Sequence, residues 1–170
     1  MHVRLATGAD AEEIERIRIR GWQAAYRHVF PPEELDRLPI DATRWLENLV
    51  HPPSGHACFV AEEAGVLLGF ATVGPSGEPD RYGELHGLYV NPDAWSTGVG
   101  RALTERAEAE LARTYREAVL WVLEDNPRAR RFYERAGWEA DGMRSSFSRL
   151  GVDAPVVRYR KRLSRSASRS

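Results

Sequence analysis

Between Leu88 and Leu103 an apolar strand, Leu88-Tyr89-Val90, runs through Asn91-Pro92-Asp93-Ala94-Trp95-Ser96-Thr97 and Gly98-Val99-Gly100 into a helix whose first residues are small. This order puts a turn that a ligand can approach at the carboxyl end of a strand. Gly98 and Gly100 lack a Cβ, and the first amides of a helix have no intrahelical acceptor. Those amides, with the positive end of the helix dipole, favour a phosphate or pyrophosphate. An ordinary helix start uses the same residues. The turn alone therefore leaves two readings open, an anion cradle or a cap that only begins a helix.

Charge and composition narrow the ligands such a turn could serve. The chain has 170 residues, 42% of them hydrophobic, which suits one domain able to bury a core. That domain is expected over residues 1–163, with residues 164–170 a Ser/Arg tail expected to be disordered. Five of the 24 basic residues and none of the 25 acids fall in the last eleven positions, so residues 1–159 carry a formal charge of −6. A mildly acidic body argues against nucleic acid as a partner and is compatible with cationic amines. Cys58 is the single cysteine, between Ala57 and Phe59, and reads as a buried strand position with no disulfide. His2, His28, His51, His56 and His86 show no ligand-like spacing, so no metal is expected. No apolar run reaches the roughly 20 residues of a membrane span, and the start of the chain does not read as a secretory signal. A cytoplasmic protein with no membrane partner is the expectation.

Periodicity and breakers predict the remaining elements. A strand is expected at Val3-Arg4-Leu5-Ala6, then a helix capped by Thr7 or Asp10, carrying Ile14, Ile17 and Ile19 and ending about Gly21. Pro31-Pro32 starts a second helical stretch, and Asp41 to Val50 a third, broken by His51-Pro52-Pro53. Ala57 to Glu62 and Val66 to Val73 read as a hairpin about Ala64-Gly65, and Gly74 to Arg81 as a loop. Tyr82 to Val90 is the central strand, Gly100 to Thr114 the helix after the turn, and Ala118 to Leu123 a buried strand. A helix from Arg128 to Ala136 stops at Gly137, and strands near Trp138–Ala140 and Val156–Lys161 finish the sheet.

The second informative segment is Asn126-Pro127-Arg128-Ala129-Arg130-Arg131-Phe132-Tyr133-Glu134-Arg135-Ala136-Gly137-Trp138. Strand, Pro, Gly-x-Gly helix, second strand, then Asn-x-x-Ala-x-x-Phe-Tyr-x-x-x-Gly-Trp resembles the GNAT superfamily of acetyl-CoA-dependent N-acetyltransferases. The resemblance spans about Ala57 to Trp138, and Trp22-Gln23-Ala24-Ala25-Tyr26-Arg27 is similar to the front end of many bacterial members. It implies an α/β fold, a mixed, mostly antiparallel central sheet flanked by helices and splayed at two parallel strands, with acetyl-CoA as co-substrate. It assigns the amides of Ser96, Thr97, Gly98, Val99, Gly100 and Arg101 to the pyrophosphate, and the backbone of Leu88, Tyr89 and Val90 to the pantetheine arm. Asn126 would contact that arm, or serve as the cap of an Asn-Pro helix start. Tyr133 would protonate the departing thiolate, where a phenol remains protonated at neutral pH; a buried core tyrosine is the other reading. At the first position of the turn the family usually has Gln or Arg, followed by Gly and often a basic residue. Here stand Trp95, Ser96 and Thr97, so one cationic side chain is missing. Arg128, Arg130, Arg131 and Arg135, diluted by acids, read as a solvated face near the adenosine phosphate.

The attacking amine must lose a proton, so a base or a water relay is required. Glu84 and His86 lie two apart on the central strand and are expected to share a face with each other, Leu88 and Val90. The resemblance favours an acidic residue here, which makes Glu84 the expected catalytic base and His86 its rival. It also implies direct attack, because Cys58 lies away from the cofactor motifs. The expected activity is transfer of an acetyl group from acetyl-CoA to a primary amine, a small molecule ahead of a protein N-terminus or lysine. A catalytically weak acyl-CoA-binding sensor is the alternative outside enzymes, and a homodimer is compatible with the family. Trp22, Tyr26, His28, Phe30 and Phe147 are candidates for the acceptor wall, against a role in core packing.

Overall fold

A computed structural model describes residues 1–79 and 81–164; positions 165–170 of the expected tail lie outside them. Seven strands form one sheet, β1 (His2–Leu5), β2 (Ala57–Glu63), β3 (Val66–Pro75), β4 (Gly83–Val90), β5 (Glu117–Leu123), β6 (Glu139–Arg149) and β7 (Val152–Arg162), in the order β1-β2-β3-β4-β5-β7-β6. Every neighbouring pair is antiparallel except β4 and β5. That parallel pair holds register only at Gly83 with Ala118 and Glu84 with Val119, and beyond these the strands part. The expected splay is thus present, and it determines where a ligand can enter.

Two layers of helix cover the sheet. On one face, α1 (Ala11–Ala25) and α3 (Thr43–Val50) cover the middle strands, with Ile14 and Ile17 fully buried among Val60, Leu67 and Phe70. On the other, α4 (Val99–Leu111) presents Val99, Leu103, Ala107 and Leu111 to Phe59, Ala71, Val73 and Leu85, and α5 (Pro127–Arg135) adds Tyr133 to the same cluster. Apolar spacing of three and four along α4 is the pattern a one-sided helix requires. The short α2 (Pro32–Asp36) seats Leu35 beside Trp22 and Phe30.

Three expectations need correction. The first helix does not end at Gly21 but continues to Ala25. Gly21 is there for proximity, since a Cβ on it would come within 3.3 Å of the Tyr89 ring. The strands expected near Trp138–Ala140 and Val156–Lys161 are far longer than that, for the segment Gly142 to Val152 between them is most of a long hairpin in which β6 and β7 turn at Leu150 and Gly151, both at positive φ. As an exposed edge strand β6 needs no apolar alternation, which is why its sequence reads as loop. Lastly, β4 carries a bulge. Val73 pairs with Leu85 and Thr72 with Gly87, leaving His86 as an extra residue. The extra residue inverts the alternation beyond it. Leu85, Leu88 and Val90 consequently share the α4 face, whereas Tyr89 stacks on Phe70 beneath α1, 5.2 Å between ring centroids. Leu88 and Val90 are not on the face of Glu84 and His86.

Candidate active site

Where β4 and β5 diverge, a cleft of ≈ 960 Å³ opens. Leu88, Tyr89 and Val90 line it from β4, and Trp121, Val122 and Leu123 from β5. The edge of β4 turned towards β5 is unpaired beyond Glu84, so its main-chain groups are available to an extended ligand.

At one end of the cleft stands the turn before α4. Asn91 caps a 3-10 turn at Pro92–Ala94 by accepting from the Asp93 amide, and the Thr97 hydroxyl donates to the Ala94 carbonyl at 2.6 Å. The indole of Trp95 donates to the Val90 carbonyl at 2.9 Å, tying the turn to the end of β4. Ser96 and Gly98 follow at φ 64 and φ 92. Gly98 is the N-cap of α4, and no side chain caps that helix. Among the described residues, no acceptor takes the amides of Ser96, Thr97, Gly98, Val99, Gly100 or Arg101. A Cβ on Gly98 would meet nothing within 4 Å, so the space above the turn is open. Free amides at an open helix start fit a phosphate. The Arg101 side chain pairs with Glu105.

Tyr133 enters from α5 with its ring between Phe132 and Trp138. It is 8% exposed and lines the cleft, and its hydroxyl has no partner among the described residues. Burial, then the nearby Tyr89, pushes its pKa above the ordinary phenol range, which keeps the proton on at neutral pH. Asn126 accepts from the Ala129 amide at 3.1 Å and so caps α5; it also lines the cleft, as does Tyr26 just past the end of α1. Both readings of Asn126 are compatible with that geometry.

The bulge places His86 on the cleft wall as well. Glu84 stands behind it, its Oε1 3.4 Å from the Nδ1 of His86, and does not line the cleft. The ring of His56 stacks on His86, centroids 5.5 Å apart. The cleft is also walled by Trp22, packed on Tyr26 and Phe147, with Ser145 and Ser146. Phe30 lies behind, stacked on Trp22, and His28 is turned away towards the Asp125 carbonyl. Sequence reasoning missed Ser145 and Ser146, which lie on the unrecognised β6, and His56, for which no local pattern gives a signal. Among the described residues, no group of three or more His, Cys, Asp or Glu could hold a metal ion, and no helix is long and apolar enough to cross a membrane.

Comparison with known proteins shows the family and the fold. The family model described as "Acetyltransferase (GNAT) family" matches residues 15–138. "Probable N-acetyltransferase Rv2775" of Mycobacterium tuberculosis is 30% identical over 166 residues, covering 94% of this chain and 92% of that protein. A mycothiol acetyltransferase of Geodermatophilus obscurus is 38% identical over 96 residues, 54% of this chain but only 31% of that protein. In fold, the chain is similar to the crystal structure of the PaiA N-acetyltransferase of Thermoplasma acidophilum in complex with coenzyme A, with TM-score 0.75, 20% identity, and 95% and 98% of the two chains covered.

Proposed function

The chain belongs to the GNAT acetyltransferase family, and from that membership we propose that it moves an acetyl group from acetyl-CoA to a primary amine by direct attack within the cleft between β4 and β5. The observation that carries this reading is the parting of those strands after two paired residues, with a bare-amide cradle at one end of the opening and an unpartnered phenol inside it. Acetyl-CoA supplies the reactive thioester, and the rest of the work falls to the residues around it. The amides from Ser96 to Arg101 hold the pyrophosphate, and the free edge of Leu88 to Val90 aligns the arm. His86 takes a proton from the amine, directly or through a water, as its nitrogen bonds to the acetyl carbon. Glu84 holds the imidazole and stabilises the imidazolium. As the carbon–sulfur bond breaks, its electron pair goes to sulfur and Tyr133 gives its hydroxyl proton there. One proton leaves the amine and one reaches the thiol, so proton exchange between His86 and Tyr133 through solvent resets both groups.

The acceptor wall bears on substrate class. Trp22, Tyr26 and Phe147 are aromatic, and among the described residues no Asp or Glu lines the cleft. A second ammonium would have to lose water there without a counter-charge, which is costly. The acceptor is therefore an amine with an apolar or aromatic body, not a polyamine. Coenzyme A release measured with an arylalkyl monoamine, a linear polyamine and a peptide with a free N-terminus tests this. The arylalkyl monoamine should give the highest kcat/KM; a polyamine preference would overturn the substrate class, and no release with any amine would favour the sensor alternative.

A further inference from the structure

We propose that Arg128 is a cofactor-binding residue whose guanidinium, laid on the indole of Trp95, supplies the cationic contact to the coenzyme A pyrophosphate that the turn before α4 lacks. The inference rests on reading the cleft as a coenzyme A site, and it concerns how this chain compensates for an unusual turn.

The cation expected at the first position of the turn is replaced by Trp95, and neither Ser96 nor Thr97 restores it. Trp95 is not idle packing. Its indole nitrogen is fixed to the Val90 carbonyl, which sets the ring's orientation, and the Arg128 Cζ lies 3.7 Å from the ring centroid. Both side chains line the cleft with Gly98 and Gly100.

A guanidinium stacked on an aromatic face keeps its N–H groups at the edge, free to donate in plane. The stack thus aims the charge without consuming its donors. Nor is the charge neutralised elsewhere, for among the described residues no carboxylate pairs with Arg128. Its neighbours on α5 behave differently or reinforce it. Arg130 turns away to the Tyr159 hydroxyl and the Glu124 carbonyl, whereas Arg131 and Arg135, three and seven positions on, line the same cleft. Partial burial without an anion holds Arg128 below the ordinary guanidinium value, a cost that a bound phosphate would reverse. Arg128 remains charged in either case.

Calorimetric titration with coenzyme A and with 3′-dephospho-coenzyme A distinguishes the two phosphate positions. For Arg128→Ala we expect affinity to fall about 10- to 100-fold, the range of a lost hydrogen bond to a charged group, and by the same factor for both ligands. No loss overturns the assignment, and so does a loss confined to coenzyme A, which would move Arg128 to the 3′-phosphate. Trp95→Ala should also weaken both ligands, with a smaller effect in the Arg128→Ala background than in the wild type; additive losses would show that Trp95 does not position Arg128. Melting temperatures measured alongside report folding, and the Arg128 arm stands by itself if Trp95→Ala does not fold. A wild-type chain that binds neither ligand removes the cofactor reading and this inference together.

Discussion

His86 is the residue that β4 has in excess of β3, and that surplus decides which side chain reaches the cleft wall. Strict alternation would bring Glu84, His86, Leu88 and Val90 to one face. The bulge keeps the first two together and sends the others to the α4 side. The sequence contains one cue to this, Gly87, because a glycine inside a strand can mark a bulge; with Gly83 in the same strand, the cue does not say where. If His86 is the base, His86→Gln should lower kcat/KM near neutral pH about 100-fold, the usual scale of general base catalysis, with the deficit shrinking at higher pH as the amine becomes neutral unaided. Glu84→Gln should cost less, since it acts through the imidazole. A larger loss in Glu84→Gln, measured in full pH–rate profiles on one amine, would return the base to Glu84. Phe132-Tyr133 and the spacing to Gly137 single out Tyr133 in the sequence, and the structure buries it at the cleft. Tyr133→Phe should lower kcat about 100-fold and leave acetyl-CoA affinity within a few fold. Single-turnover rates equal to wild type would remove it as the acid.

At the scale of elements, the segments legible in advance are those whose residues face something. β5, buried between β4 and β7, reads as a strand from Ala118-Val119-Leu120 alone, and α4 from its apolar stripe. β6 was illegible because Asp141-Gly142-Met143-Arg144-Ser145-Ser146 lies exposed at the sheet edge, where side chains answer to solvent. The acceptor wall suffered accordingly, since Ser145 and Ser146 come with that strand. The extra turn of α1 was hidden by Gly21, a usual stop signal that here makes room for Tyr89. Gly98 is the opposite case, a glycine required by conformation. At φ 92 a side chain costs about 1–2 kcal/mol, and a Cβ there would meet nothing within 4 Å among the described residues. Gly98→Glu should therefore fold with a modestly lower Tm, yet place a carboxylate in the cradle proposed for the pyrophosphate and abolish acetyl-CoA binding by calorimetry. Retained affinity in the folded variant would reduce the turn to a helix cap.

Across the whole molecule, the parallel pairing that organises the cleft is the weakest joint in the sheet, two residues long, and α1, β4 and α5 close over it with phenols. These are Tyr26 just past the end of α1, Tyr89 of β4 and Tyr133 of α5, and burial is the largest cause raising each pKa. On the α1 side, burial also pushes the Cys58 thiol up to about 12. All four groups bind their protons more tightly in the folded chain than in the unfolded one. Their contribution to stability is complete below the unfolded values, near pH 9 for the thiol and pH 10 for the phenols, and is lost as pH rises above them. Each group can steepen the fall by up to about 1.4 kcal/mol per pH unit. Unfolding free energy from urea melts should thus hold near neutral pH, begin to drop above pH 9 and drop faster above pH 10. Tyr133→Phe removes one of these protons while retaining the ring, so the variant should lose less stability between pH 9.5 and pH 11 than the wild type, whatever its starting value. Parallel curves for the two proteins over that interval would mean that the folded chain holds the Tyr133 proton no more tightly than the unfolded one, and burial would not be what keeps that phenol protonated.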